Sequence, residues 1–290
     1  MRKTYNVAGH SFAIVMPDDN EFWNEMGNYE PFLTQNSEDC DFVVEQIETL
    51  PDLSEKKKIT ISFNGQEYPR YDVYDWNGLL LLEGAPTFTA PICYRMIMDK
   101  GFSKVQFQIE EYWRFSFNRV VEMMFALATA SKWTIQIHAS VTMKDDKGYL
   151  FLGPSGTGKS THSQLWINNI EGCSLLNDDN PVIRIGEDGV ARVYGTPWSG
   201  KTPCYRNLNV PIGALVILHQ AKENAIRRLP VAKAYAEIYS SFTGLKFIKE
   251  LGDAYHATNL KLVTTVPFYE LDCLPNPDAA FLCYKTVSQQ

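Results

Sequence analysis

Short segments of β-favouring residues follow one another over the first 117 residues. Each is rich in Val, Ile, Phe or Leu, and Gly, Pro, Asn or Asp separates it from the next, a pattern typical of strands joined by turns. The clearest segments are residues 12–15, 41–44, 59–63, 79–82 and 105–109. The pattern predicts a β-rich N-terminal domain, residues 1–117, built on an antiparallel sheet.

A helical pattern replaces the strand pattern over residues 118–132. Apolar side chains recur there at intervals of three and four, which predicts an apolar helix. These side chains are Val121, Met124, Phe125 and Ala128. We expect this helix to begin a second domain, residues 118–290, and to link it to the first.

The second domain alternates strand and helix patterns. Residues 133–143 and 149–152 flank a polar turn at residues 145–148, which predicts a β-hairpin. Later segments predict two helices, a strand and a final helix. These segments are residues 231–242, 247–259 and 266–271 and the chain from Pro277. The second domain is therefore expected to be α/β.

A glycine-rich segment directly follows the hairpin's second strand. It fits the pattern G-x-x-x-x-G-K-[ST] of phosphate-binding (Walker A, or P-loop) sequences, and a helix-compatible run, residues 159–170, comes after it. Its residues are Gly153, Pro154, Ser155, Gly156, Thr157, Gly158, Lys159, Ser160 and Thr161. We expect the loop amides and Lys159 to hold the phosphates of ATP, and the Ser160 hydroxyl to bind Mg²⁺. A glycine-rich turn that matches by chance is the alternative.

Two adjacent carboxylates, Asp178 and Asp179, end the apolar segment that follows this helix. The helix of residues 159–170 would be about 18 Å long, and a right-handed crossover would return the chain as a neighbouring strand. Both aspartates would then lie beside the phosphate-binding loop. One would bind Mg²⁺, and the other would orient or deprotonate an attacking hydroxyl. A polar turn in which they only cap the following segment is the alternative.

These segments together resemble the catalytic domain of HPr kinase/phosphorylase, which belongs to the phosphoenolpyruvate-carboxykinase-like P-loop proteins. The resemblance rests on Ile137-His138-Ala139-Ser140, the phosphate-binding loop and Leu176-Asn177-Asp178-Asp179, and it covers about residues 133–285. It implies an α/β kinase that uses ATP and Mg²⁺ to phosphorylate a hydroxyl acceptor. It also allows the reverse, phosphorylase reaction and a homo-oligomer.

The resemblance implies a role for each site residue. His138 would contact Asp178 and tune it as the catalytic base, while Asp179 and Ser160 would bind Mg²⁺. No segment resembles the N-terminal domain of HPr kinase or its HPr-binding loop, so the acceptor is left open as a protein or peptide serine or a small hydroxylated metabolite.

Residues 194–201 form a second motif, which resembles a loop of diverse HPr-kinase-related proteins. Gly195 and Gly200 would allow a tight backbone, and Lys201, together with Arg206, would neutralise charge on the transferred phosphoryl group. The alternative is an ordinary hairpin exit with a packed Trp198.

Other proteins with a similar glycine-rich loop fit the sequence less well. An ABC transporter ATPase needs a Leu-Ser-Gly-Gly-type signature, and a guanylate kinase carries the loop near its N-terminus. A different class of function stays open, a nucleotide-binding regulatory module that transfers no phosphoryl group. Intact Asp178 and Asp179 count against it.

The composition restricts the classes of binding partner that we expect. The 290 residues include 27 Lys and Arg against 34 Asp and Glu, a net charge of -7 without a dense basic run, which argues against nucleic-acid binding. The most apolar long window, residues 120–137, contains Glu122 and Lys132, and no signal peptide is legible, so we expect a cytoplasmic protein without a membrane partner. Six cysteines without a CxxC pair are read as thiols.

Overall fold

The computed structural model of the protein describes residues 1–35, 39–63, 69–200 and 202–289. Within these ranges the chain is a mixed α/β protein with two nine-stranded sheets. It divides into two compact units, Met1–Ala128 and Thr129–Gln290. No helix among the described residues is long and apolar enough to cross a membrane.

The first unit contains the first sheet. Its strands are β1 (Arg2–Val7), β2 (His10–Val15), β3 (Leu33–Thr34), β4 (Phe42–Gln46), β5 (Lys57–Phe63), β6 (Arg70–Trp76), β7 (Leu79–Ala85), β8 (Tyr94–Met98) and β9 (Lys104–Ile109). The spatial order is β3-β1-β2-β4-β9-β8-β7-β6-β5. All five strand segments predicted in the sequence coincide with these strands, except that Asp41 lies one residue before β4. The antiparallel expectation is wrong for two pairs, because β4 runs parallel to both β2 and β9.

Helix α1 (Trp113–Thr129) packs against this first sheet. The ring of Phe125 lies 6.3 Å from that of Phe12 and 6.2 Å from that of Phe42, and Phe117 lies 5.9 Å from Phe107. Burial of these rings ties the helix to the first unit, since aromatic side chains contribute most of the buried apolar area of such a core. The division between the units therefore falls after Ala128, whereas the sequence pattern had placed it before the helix.

The described residues of the second unit form the second sheet and four α-helices. Its strands are β10 (Thr134–Gln136), β11 (Ala139–Lys144), β12 (Lys147–Leu152), β13 (Ser174–Asp179), β14 (Val182–Ile185), β15 (Ala191–Tyr194), β16 (Asn209–Gln220), β17 (Ala225–Arg228) and β18 (Phe268–Cys273). Its helices are α2 (Lys159–Asn169), α3 (Val231–Ser240), α4 (Lys249–Thr265) and α5 (Pro277–Val287). The strand order is β10-β14-β15-β16-β12-β11-β13, with β18 beside β16 and β17 beside β18.

The predicted hairpin is confirmed for β11 and β12, which pair antiparallel along their whole length. The first part of its predicted first strand is instead the separate strand β10, which pairs with β14. Asp145 and Asp146 join them with φ values of +50° and +56°, the left-handed turn that matches the twist of a two-residue hairpin. Strand β13 pairs with β11 and not with β12. Strand β13, which follows the crossover helix α2, is therefore parallel to β12 but not adjacent to it. Strand β11, the hairpin partner of β12, lies between them.

The carboxyl ends of β12 and β13 nevertheless lie at one edge of the sheet. Leu152 at the end of β12 pairs with Ala139, and Ala139 pairs with Asp179 at the end of β13. One face of this sheet is covered by α2 and α5, with Trp166 of α2 fully buried in the core between them. The loop that leaves β12 and the aspartates of β13 are therefore held next to each other by a rigid core.

Candidate functional site

The glycine-rich loop connects the end of β12 to the start of α2. Gly153, Gly156 and Gly158 have φ values of +145°, +81° and +106°, which residues with a Cβ rarely adopt. A Cβ at Gly153 would also lie 3.2 Å from the carbonyl oxygen of Leu218 in β16. The side chain of Gln220 donates to the carbonyl of Gly156 over 3.1 Å. Strand, loop and helix thus follow one another as the phosphate-binding pattern requires.

Lys159 is buried beneath this loop, with 8% of its surface exposed. Its Nζ donates to the carbonyl oxygens of Gly153 and Pro154 over 2.9 and 3.2 Å. Burial lowers the pKa of Lys159, and the charges of Asp179 and Asp178 oppose that shift. A buried ammonium group satisfied mainly by carbonyl dipoles is a ready partner for an anion.

The hydroxyl of Ser160, the next residue of α2, donates to Oδ1 of Asp178 over 2.8 Å. The sequence had instead suggested Ser160 and Asp179 as the two ligands of Mg²⁺. Asp178 lies opposite Ser140 in β11, and the hydroxyl of Ser140 is 2.6 Å from that of Ser163 in α2, so this face of β13 is turned toward the helix. Asp178 is 3% exposed, and its Oδ2 has no hydrogen-bond partner within the described part of the chain.

His138 pairs with the second aspartate. Its Nδ1 lies 3.0 Å from Oδ1 of Asp179, so the expected contact between His138 and Asp178 is not the one formed. Asp179 also lies close enough to Lys159, the first residue of α2, for its charge to oppose the lowered pKa of that lysine. The side chains of His138 and Asp179 are 41% and 27% exposed. This pair is thus open to a partner in solution, in contrast to Asp178.

The backbone at this pair is unusual. Asp179 has a φ of +127°, and such conformations at non-glycine residues concentrate at functional sites. The side-chain amide of Asn180 donates to Oδ2 of Asp179 over 2.9 Å. Two chain segments turn here together, since β10 continues into β11 through His138 and β13 continues into β14 through Asn180. The amide of Ile137 donates to the carbonyl of Pro181 over 3.2 Å and fastens one turn to the other.

The buried hydroxyl of Thr196 links the second motif, residues 194–201, to the end of β13. Oγ1 of Thr196 accepts from the side-chain amide of Asn177 over 3.0 Å and from the backbone N–H of Trp198 over 3.2 Å. It donates to the carbonyl of Asn180 over 2.8 Å. Thr196 and Asn177 are fully buried. The sequence analysis gave neither residue a role, although an amide directly before the paired aspartates was the available signal.

The next residues of the motif run beside the aspartates. Ser199 forms a bridge with Asp179, and the N–H of Gly200 donates to the carbonyl of Asp178. A Cβ at Gly200 would lie 3.1 Å from that of Asp179, so a larger residue would crowd the site. Lys201 lies outside the described residues, and its predicted contribution to charge neutralisation stays a prediction.

Gly195 and Trp198 of the second motif are closely packed, and Arg206 lies beyond its end. The tight backbone at Gly195 is confirmed, since a Cβ there would lie 2.0 Å from the carbonyl oxygen of Arg206. Trp198 is 1% exposed and is packed, as the alternative reading expected. The guanidinium of Arg206 donates to the carbonyl of Leu175 over 2.6 Å. That carbonyl is about 10 Å along β13 from Asp178, so Arg206 does not face the aspartates.

His162 of α2 is a buried residue of the core. It is 2% exposed, accepts from Nε1 of Trp166 over 3.1 Å and packs its ring 4.7 Å from that of Phe151. Burial lowers the pKa of His162 to about 4. The imidazole is therefore neutral at physiological pH and forms part of the core between α2 and the sheet.

Comparison with known proteins adds little to this geometry. No protein-family model and no curated protein matches the sequence. Among solved structures, the HPr(Ser) kinase/phosphatase from Coxiella burnetii is similar, with a TM-score of 0.31 and 12% sequence identity over 53% of this chain and 93% of that chain. A likeness of this size carries no functional argument, so function has to be argued from the site itself.

Proposed function

We propose that the protein is an ATP- and Mg²⁺-dependent phosphotransferase of the HPr kinase type, which transfers the γ-phosphoryl group to a hydroxyl acceptor. The observation that carries the proposal is the meeting of three groups at one sheet edge. These are the phosphate-binding loop with Lys159, the buried pair of Ser160 and Asp178, and the open pair of His138 and Asp179. Nucleotide binding alone would not require the third group.

The residues present fit a magnesium ion. Mg²⁺ prefers hard oxygen ligands, and the Ser160 hydroxyl and the Asp178 carboxylate supply them. A buried carboxylate oxygen without a donor is costly, and Oδ2 of Asp178 is such an oxygen within the described residues. We therefore assign Ser160 and Asp178 to the metal, in place of Ser160 and Asp179. When bound, the ion would neutralise charge on the phosphates.

Asp179 and His138 are assigned to the acceptor. The carboxylate of Asp179 would accept the hydrogen bond of the acceptor hydroxyl and take its proton as the oxygen attacks the γ-phosphorus. The new bond joins that oxygen to phosphorus, the bond between phosphorus and the β,γ-bridging oxygen breaks, and ADP leaves with the bond's electron pair. The imidazole of His138, 3.0 Å from Oδ1, would hold the carboxylate in position. Lys159 and the loop amides would bind the phosphates throughout.

Transfer of label from γ-labelled ATP tests the proposal. Purified protein, ATP and Mg²⁺ are added to a host lysate, which is then separated into proteins and small metabolites. We expect label in one fraction with the wild type, none with Asp179→Asn, and wild-type labelling with Asp278→Asn, an equivalent change at an exposed position on α5.

Absence of label, with ATP still bound, would reject phosphoryl transfer and favour the nucleotide-binding regulatory module. Release of label by added phosphate from a labelled acceptor, with pyrophosphate as the product, would reveal the reverse phosphorylase reaction.

A further inference from the structure

Lys246 is a half-buried lysine on the segment between α3 and α4, and the proposed reaction gives it no part. Its Nζ donates to the carbonyl oxygens of Tyr239 and Ser240 over 2.7 and 3.2 Å. The same Nζ lies 5.1 Å from the centre of the Tyr239 ring. Burial lowers the pKa of Lys246 to about 8, and no carboxylate among the described residues pairs with it. Carbonyl dipoles and an aromatic face therefore hold the ammonium group.

The two carbonyls bound by Lys246 belong to the C-terminal end of α3. The last carbonyls of a helix have no donor from the helix itself and carry the negative end of its dipole, so a cation is favourable there. Helix α3 has no basic residue in its own last turn. Lys246 supplies the missing cation from the segment beyond the helix and is thus the cap of this helix end.

The next carbonyl along the chain holds the backbone of His138. The N–H of His138 donates to the carbonyl oxygen of Ser241 over 3.2 Å. Directly beside this bond, Phe242 forms an antiparallel bridge with Ile137. The chain that leaves α3 therefore runs along the turn between β10 and β11. Lys246 binds the two carbonyls that directly precede the one bound by His138.

Two glycines allow the segment that carries Lys246 to pack closely on α4. Gly244 has a φ of +138°, and a Cβ there would lie 2.0 Å from the hydroxyl oxygen of Tyr255. A Cβ at Gly252 of α4 would lie 2.8 Å from the carbonyl oxygen of Lys246. Leu245, between these contacts, is 2% exposed. The backbone of Lys246 is thus fixed against α4, and its side chain reaches back to the end of α3.

We propose that Lys246 is a positioning residue for the reaction. By binding the last carbonyls of α3, it holds the Ser241 carbonyl and with it the backbone of His138. The imidazole of His138 is then kept where its Nδ1 lies 3.0 Å from Oδ1 of Asp179. The part in the reaction rests on the proposed function. The link from Lys246 to the backbone of His138 depends only on contacts within the second unit.

Amide hydrogen exchange measures that link without any turnover. Labelling histidine alone with ¹⁵N gives one backbone amide signal for each of the five histidines, and the signal lost in His138→Gln identifies His138. Lys246→Met removes the ammonium group and keeps a chain of similar length. We expect the His138 amide to exchange at least about tenfold faster in this variant, because the end of α3 opens locally. Lys246→Arg keeps a cation and its donors and should retain the slow exchange of the wild type.

The amide of His162 is the internal reference. It donates to the carbonyl of Gly158 over 2.8 Å in a different helix, and its exchange should be the same in wild type and Lys246→Met. If it also becomes faster, the substitution has unfolded the second unit. The milder Lys246→Gln, which keeps an uncharged donor, is then measured in its place, and faster exchange of the His138 amide alone is again required.

Phosphoryl transfer is measured for the same variants. Lys246→Met should lower kcat about tenfold and leave the KM for ATP unchanged, because Lys246 contacts none of the groups assigned to the phosphates. Lys246→Arg should restore kcat. Lys261→Met is the matched control, since it makes the same change at an exposed lysine of α4. It should alter neither the transfer nor the exchange of the His138 amide.

Three results would overturn the proposal. They are slow exchange of the His138 amide in Lys246→Met, equally fast exchange in Lys246→Met and Lys246→Arg, and an unchanged kcat in Lys246→Met although the amide exchanges faster. Absence of transfer in the wild type, together with faster exchange of the His138 amide in Lys246→Met, is a separate outcome. It would reject the kinase function and leave the link between Lys246 and His138 standing.

Discussion

Nδ1 of His138 lies 3.0 Å from Oδ1 of Asp179, at the point where two strands pass beyond the sheet edge that carries the glycine-rich loop. The carboxylate of the preceding residue, Asp178, accepts instead from the hydroxyl of Ser160 in α2. The two adjacent carboxylates thus have different surroundings, one buried and one partly exposed. Different surroundings are the physical basis for assigning them different tasks.

Substitution of each aspartate should therefore have a different consequence. Asp178→Asn should abolish the dependence of ATP affinity on Mg²⁺, because it weakens a hard anionic ligand. Asp179→Asn should leave Mg-dependent ATP binding intact and lower phosphoryl transfer by about 10²- to 10⁴-fold, the usual contribution of a general base. Calorimetric titration of ATP with and without Mg²⁺, beside the transfer assay, makes the comparison. If Asp179→Asn removed the Mg²⁺ dependence and Asp178→Asn lowered only the transfer, Asp178 would be the base and Asp179 the metal ligand, as the sequence alone favoured.

Lys159→Met should separate nucleotide binding from stability. Burial lowers the pKa of Lys159, so replacing the ammonium group by an apolar chain of similar length should keep or raise the melting temperature without nucleotide. ATP at 100 times its Kd should stabilise the wild type by about 2.7 kcal/mol and should not stabilise the variant. Thermal melts with and without ATP, with Lys285→Met as the control, measure both effects. An equal ATP-induced shift in wild type and Lys159→Met would contradict the assignment.

The Thr196 hydroxyl should be required for the stability of the second unit. Thr196→Val keeps the shape but removes the donor to the carbonyl of Asn180 and one of the two acceptors of the Asn177 side-chain amide, at a cost of about 1–3 kcal/mol. Thr196→Ser keeps the hydroxyl and should retain most of the stability. Urea unfolding of the two variants tests the difference. Equal stability of the Val and Ser variants would show that the hydroxyl is not the connecting group.

His162 should make the protein less stable in acid. Its pKa is about 4 in the folded state, and the ordinary value of 6.5 applies in the unfolded state. Between these values the unfolded state binds the extra proton, so stability is full above pH 6.5 and falls as the pH drops toward 4. The expected loss from this group at pH 5 is about 2 kcal/mol.

His162→Gln keeps an acceptor for the indole of Trp166 and removes the titration. Unfolding of wild type and variant at pH 7.5 and pH 5 should show a smaller loss of stability in the variant. An identical loss in both proteins would place the acid sensitivity elsewhere.

Local sequence was sufficient for the elements that carry the site. The turn at Asp145 and Asp146 specified the hairpin, and the glycine pattern with Lys159 and Ser160 specified a loop between a strand and a helix. The residue at which the first unit ends was harder to predict from the sequence. The spacing of Phe117 and Phe125 shows that α1 has an apolar face, but the sheet that this face meets is set by contacts with Phe12, Phe42 and Phe107.

What the sequence by itself determined is therefore the set of chemical groups, a glycine-rich loop followed by two carboxylates and preceded by a histidine. Only the tertiary structure decided their pairing. Strand β11 lies between β12 and β13, so the face of each aspartate is fixed by its register against Ser140 and Ala139. The hydroxyl of Thr196 then holds a distant loop against the same strand end. Register and long-range hydrogen bonds depend on contacts between residues far apart in the chain, and no local pattern encodes them.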